Sequence, residues 1–151
     1  SPRLEQMAGE LFAAGKMVFT GSKFGAEKEE ILASLDVFAH PSRNEGLPAS
    51  VLEAAAAGIP CVVTKATNLG HQIAAANAGI SIDDGNEVQL AEALTVLYDL
   101  WKKGELKNMG FNGTKMVIDM FSWESLLPKY EAMYANVLNH KKPSPKFAVI
   151  P

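Results

Sequence analysis

Residues 41–63, PSRNEGLPASVLEAAAAGIPCVV, set two glutamates, Glu45 and Glu53, across the join between a loop and a helix. Pro48 suits the first helical position, where a missing N–H costs nothing, and Gly58 suits the end, where a left-handed residue closes the last turn. The spacing predicts a helix over about 49–57 and then a strand, PCVVT at 60–64, whose continuous apolar run fits burial on both faces. A helix start with free N–H groups and a partial positive dipole is suited to phosphate. Carboxylates beside it accept from hydroxyls. Phosphate donors flanked by two hydroxyl acceptors match a nucleotide-sugar, whose ribose and hexose lie on either side of a diphosphate.

Upstream, DVFAH at 36–40 reads as a short apolar strand ending at Pro41, so the EGLP loop follows a strand's carboxyl end, where open parallel sheets bind ligands. Before it come a helix over Glu27–Leu35 with Ile31, Leu32 and Leu35 inward, a strand MVFT at 17–20, and a first helix from Ser1 and Pro2 to Gly15. Downstream, KATNLGHQI opens a helix that Gly79 ends, and GISI at 79–82 is a fourth strand. The DDGN turn at 83–86 leads into a helix whose Asn86 and Gln89 have capping-box spacing, with Leu90, Leu94, Leu97, Tyr98 and Trp101 inward. A polar, glycine-containing stretch runs through Gly113. Ser122 then caps a last helix carrying Trp123, Leu126, Leu127, Tyr130, Met133, Tyr134, Val137 and Leu138 on one side. This order predicts an α/β, Rossmann-like fold, a mostly parallel sheet with flanking helices, over residues 1–139, and a proline-containing tail over 140–151.

With 151 residues, 48% hydrophobic and 21% charged, the composition is that of one globular domain. A net charge of −3 and the absence of a long Lys/Arg cluster argue against nucleic acid as a partner. No apolar run reaches the roughly 20 residues that span a bilayer, and SPRLEQMAGE lacks the regions of a signal peptide. The single cysteine, Cys61, excludes an intrachain disulfide framework and fits a reducing cytoplasm, the expected location.

Taken together, VFTGSKFGAEKEEILASLDVFAHPSRNEGLPASVLEAAAAGIPCVVT and the FSWE at 121–124 resemble the carboxyl-terminal, donor-binding half of GT-B-fold glycosyltransferases of family 4. The matching features are the strand ending in Gly21, Asp36 opening the next strand, Pro41–Ser42, the pair Glu45 and Glu53, and Gly58–Ile59–Pro60. The resemblance implies a retaining glycosyltransferase that uses a nucleoside diphosphate-sugar as donor substrate, with no cofactor and no metal, of the kind met in polysaccharide biosynthesis. It implies that Glu45 holds hydroxyls of the transferred sugar and is the catalytic position. It implies also that Gly46 and Leu47 offer backbone N–H groups to sugar and diphosphate, that Glu53 holds the ribose, and that Gly21, Ser22 and Lys23 run beside the base. The protein's main task would be to stabilise the departing diphosphate.

Against that family the chain starts late: the first two strands, a glycine-rich turn and the basic residues that grip the diphosphate have no counterpart, nor has an amino-terminal acceptor domain. The four expected strands would be the third to sixth of a doubly wound order, with a gap after the first. A piece of a longer protein, completion by another chain, or a rearranged register would each answer this, and the KFAVI tail could cover an edge within a domain-swapped dimer. An unknown acceptor and peripheral membrane contact through a full-length enzyme complete the expected partners. A GT-B nucleotide-sugar epimerase and a non-catalytic nucleotide-sugar binding module remain as alternatives.

Blander readings stand beside these. Acidic residues near a helix start are favoured by the dipole alone, and paired carboxylates also serve glycosidases. Asp83–Asp84 reads as a turn rather than a metal pair. His71 follows Gly70 at a helix start and could meet phosphate; His40 ends a strand near the proposed site; Cys61 reads as packing, and Trp101, Trp123, Tyr130 and Tyr134 as helical stripes.

Overall fold

The computed structural model describes Gln6, Gly9 and residues 13–139, and the chain divides into two compact units, residues 1–34 and 35–151. In the first unit, α1 (Gly25–Ala33) carries Glu27 in its first turn, 3.6 Å from Lys23, and ends at Ser34, whose Oγ donates to the Ile31 carbonyl at 2.6 Å. Ile31 and Leu32 are half-buried. The helix expected before Gly15 falls largely outside the described residues, as does the tail over 140–151.

The expected strand at 17–20 does not form: these residues belong to no strand among the described residues, and Val18 is 73% exposed. Apolar β-branched residues favour a strand, but a strand exists only through a ladder on a neighbouring edge.

The second unit runs β1 (Phe38–His40), α2 (Ala49–Ala56), β2 (Cys61–Thr64), α3 (Gly70–Ala75), β3 (Gly79–Ile82), α4 (Glu87–Lys103), α5 (Leu106–Phe121) and α6 (Trp123–Asn139). The strands form a parallel sheet in the order β1-β2-β3, with Phe38 opposite Cys61, His40 opposite Val63 and Val62 opposite Ile80. Every residue of β2 is buried, as a central strand covered on both faces requires. Three parallel strands joined by helices give the expected Rossmann-like α/β architecture, with three of the four expected strands in place.

Helix α2 ends as its sequence predicts. Gly58 takes φ 77°, the Gly58 N–H donates to Ala55 O, and the Ile59 N–H donates to Ala54 O, the paired bonds of a Schellman closure. On the face of the sheet covered by α4, Val62 and Ile82 pack with Ala93, Leu97, Leu106 and Met109. The Asn86 side chain accepts from the Gln89 N–H at 3.0 Å, and Gly104 closes α4 at φ 74°.

Three helical details differ from expectation. The polar, glycine-containing stretch through Gly113, given no element of its own in the sequence, falls within α5, because its glycines serve close approach: a Cβ on Gly110 would stand 2.0 Å from the Gly58 carbonyl oxygen. Helix α3 stops at Ala75, before Asn77 turns left-handed at φ 50°. The inward stripe of α4 is also rotated: Ala93 and Leu97 are buried, whereas Leu94, Tyr98 and Trp101 are exposed around a groove of about 250 Å³ that Asp36 and Val37 complete. Trp101 Nε1 there donates to Asp36 Oδ1 at 3.2 Å, a polar tie that holds the indole at the surface.

Candidate functional site

The site lies where β1 leaves the sheet. Residues 41–48 form the loop that follows its carboxyl end, and two contacts fasten that loop to the neighbouring strand. Thr64 Oγ1 donates to the Ser42 carbonyl, and Glu45 pairs with Thr67 in an isolated parallel bridge. Thr64 and Thr67 are buried and their hydroxyls are satisfied; Thr67 Oγ1 donates to Thr64 O at 2.8 Å. The backbone under Glu45 is therefore fixed, while its side chain is 42% exposed and its Oε1 sits 3.6 Å from His40 Nε2.

Beyond the loop, buried Pro48 occupies the cap position of α2 and offers no side-chain acceptor. The N–H groups of Val51 and Leu52 turn back to the Pro48 carbonyl, so those of Ala49 and Ser50 precede the first intrahelical bond. Gly46 and Leu47 are exposed, and a Cβ on Gly46 would meet no atom within 4 Å, so the backbone there is open to a ligand. Glu53 is exposed one turn into α2. Glu45, Gly46, Leu47 and Glu53 thus share one loop–helix segment at the carboxyl ends of the strands. Gly21 and Ser22 belong to the first unit, where Gly21 has φ 68° and its carbonyl accepts from Thr20 Oγ1 at 3.3 Å.

A cleft of about 220 Å³ opens at the same end of the sheet, lined by Pro41 after β1, Thr64 at the end of β2, Asp83 after β3, and Arg43, Asn86 and Glu87. Glu45 and Glu53 stand outside its lining. Asp83 is engaged in a turn network. Its carboxylate accepts from Lys65 Nζ at 2.7 Å and from Gln89 Nε2 at 3.0 Å, and its N–H donates to Gln89 Oε1 at 2.7 Å. Those hydrogen bonds, the one from Lys65 foremost, hold the Asp83 carboxyl below the usual carboxylate range. Among the described residues no group of three or more His, Cys, Asp or Glu is placed to hold a metal ion.

The remaining candidates fall in place around this segment. His71 is exposed on α3, a six-residue helix. Cys61 is buried, its Sγ 3.3 Å from the Ile59 carbonyl, and burial pushes its thiol up to about 12. Sequence reasoning left Arg43 unassigned and allowed His40 a contact with the site while favouring a structural role at the strand end; the structure brings the first to the cleft and the second to Glu45. Their positions inside HPSRNEG, between the strand end and the glutamate, were the available signal.

Comparison with known proteins agrees with this fold. The family model for glycosyl transferases group 1 matches residues 2–116. The chain is 28% identical over 138 residues to N-acetyl-alpha-D-glucosaminyl L-malate synthase of Bacillus anthracis, covering 91% of this chain and 35% of that protein. It is 32% identical over 121 residues to a GDP-mannose-dependent alpha-mannosyltransferase of Mycolicibacterium smegmatis, covering 77% of this chain and 31% of that protein. The chain thus spans about a third of the length of these relatives. Anabaena HepE, solved in complex with UDP, shares the fold with a TM-score of 0.73 at 19% identity, over 89% of this chain and 36% of that one. No helix among the described residues is long and apolar enough to cross a membrane. With the parallel sheet and the family match over residues 2–116 in agreement, the chain belongs to the glycosyl transferases group 1, with the Rossmann-like fold of a GT-B carboxyl-terminal domain.

Proposed function

We propose that this chain is the donor-binding part of a retaining glycosyltransferase that takes its sugar from a nucleoside diphosphate-sugar. The observation that carries the reading is the uncapped start of α2 with a carboxylate on each side, Glu45 held by the bridge to Thr67 and Glu53 one turn into the helix. The N–H groups of Ala49 and Ser50 and the α2 dipole favour the diphosphate. Glu45 accepts from hydroxyls of the transferred sugar and positions it rather than attacking it; the backbone of Gly46 and Leu47 approaches the sugar and diphosphate; Glu53 accepts from the ribose. Preorganised donors at the diphosphate stabilise the charge that develops as it departs, with no metal and no cofactor. The named donor of the Mycolicibacterium relative, GDP-mannose, supports this donor class. In the same reading an amino-terminal domain supplies the acceptor site, and the transfer takes place in the cytoplasm.

The test is a thermal-shift and calorimetric panel of GDP, UDP and ADP and their sugars, run on the wild-type chain and on Glu45→Gln and Glu53→Gln. A charge-assisted hydrogen bond to a hydroxyl is worth about 1.5–3 kcal/mol, so each substitution should weaken binding about tenfold or more. Glu45→Gln should act on the sugar-dependent part and Glu53→Gln on the nucleotide part. Ligand shifts unchanged in both variants would end the site assignment.

A further inference from the structure

We propose that His40 is the positioning residue of Glu45: its Nε2 orients the carboxylate so that the oxygen away from the imidazole is presented to the transferred sugar. The inference rests on the donor-site reading above and adds to it a residue that the reading does not use.

Among the described residues His40 Nε2 is buried and has no hydrogen-bond partner, although the imidazole as a whole is 26% exposed. Burying a ring nitrogen without a partner costs free energy. The group it faces is Glu45 Oε1 at 3.6 Å, just beyond hydrogen-bond range and reachable by a small side-chain rotation. A proton on Nε2 makes this contact attractive whether the imidazole is neutral or charged.

Both ends of the pair are clamped by separate backbone contacts. His40 is opposite Val63 in the β1–β2 ladder, and its ring stacks on that of Phe38 with centroids 6.3 Å apart and planes 9° from parallel. Glu45 is fixed by its bridge to Thr67, and the intervening loop by the bond from Thr64 to Ser42. Two groups held this way cannot drift apart independently, so the imidazole sets the carboxylate's direction. One carboxylate oxygen is then taken by the ring and the other is left for a hydroxyl.

The test has two arms on the full chain. In the first, without ligand, long-range proton–nitrogen NMR of the imidazoles should show His40 Nε2 protonated in wild type and its signal displaced in Glu45→Gln; an undisplaced signal overturns the pairing. In the second, calorimetry compares GDP-mannose with GDP and UDP-glucose with UDP. His40→Phe should lose about tenfold in affinity for the sugar nucleotide bound by wild type and keep its affinity for the nucleoside diphosphate. His40→Gln, which retains a donor, should recover part of the loss, and His40→Phe combined with Glu45→Gln should be no worse than Glu45→Gln alone. Equal losses for nucleotide and sugar nucleotide, or additive losses in the double variant, would make His40 merely structural. If wild type binds none of the four probes, the donor-site reading fails and takes the sugar-directed half of the proposal with it, and the NMR arm alone decides the pairing.

Discussion

Replacing Gly110 with alanine probes the contact that seats α2, and with it Glu53, against the rest of the unit. Gly110 is buried on α5, and a Cβ there would lie 2.9 Å from the Gly58 carbonyl carbon and 2.0 Å from its oxygen, the latter more than an ångström short of ordinary contact. The obstacle is backbone, at a residue with φ 77° inside a Schellman closure, so no rotamer can yield. Overpacking of this kind costs about 1–3 kcal/mol. Parting the helices also strains the hydrogen bond that the single Thr114 Oγ1 proton shares between the carbonyls of Ala55 and Ala56, at 3.4 and 3.3 Å, worth about 0.5–1.5 kcal/mol in all. Alanine returns about 1 kcal/mol of helix propensity. The expected outcome is a net loss of about 1–3 kcal/mol in urea unfolding followed by circular dichroism. Gly113→Ala is the control: its Cβ would meet Ala55 O at 3.2 Å, which a shift of a few tenths of an ångström relieves, so propensity should roughly cancel the strain. A Gly110→Ala chain as stable as wild type, or less harmed than Gly113→Ala, would refute the close-approach argument.

Other outcomes can be read from the same unfolding curves. Leu97→Ala empties a fully buried position in the core beneath α4 and should cost about 2–5 kcal/mol. Asn86→Ala removes the acceptor for the Gln89 N–H and should cost about 1 kcal/mol, with Asn86→Asp close to wild type. Cys61 should resist alkylation in the native chain at pH 8 and react once unfolded. Its thiol is raised from 9.0 to about 12, so the folded state binds the proton more tightly; that stabilisation is complete below pH 9 and is lost as pH climbs from 9 toward 12, by at most about 1.4 kcal/mol per pH unit. Cys61→Ala should flatten that alkaline decline.

Signals confined to a few adjacent residues were legible in the sequence. Pro48 and Gly58 bracket α2, Asn86 caps α4, and Ser122 Oγ accepts from the Ser125 N–H at the start of α6, each through contacts within one turn. The apolar runs at 61–64 and 79–82 are strands because each finds a parallel partner. Features that depend on distant partners were not legible. Gly110 and Gly113 look like helix breakers until α2 is laid against them, and the 17–20 segment looks like a strand until a neighbouring edge is required of it. Periodicity marks one side of α4 as apolar but not how far the sheet beneath it extends, so Leu94 and Tyr98 are misread as inward. In the site, Glu45 and Glu53 announce themselves by their place in the loop and helix, whereas the approach of His40 to Glu45 depends on how residues 41–44 fold back.

Helix α6 gives the molecule a second energy scale. None of its side chains is fully buried, Trp123, Tyr134, Val137 and Leu138 are each more than 60% exposed, and Pro128 deprives the Glu124 carbonyl of its usual amide donor one turn into the helix. Its detachment from α5 breaks no contact of the sheet core and removes little apolar area from shelter. Amide hydrogens along α6 should therefore exchange through a subglobal opening of low free energy, while those of β2 wait for the whole unit to unfold.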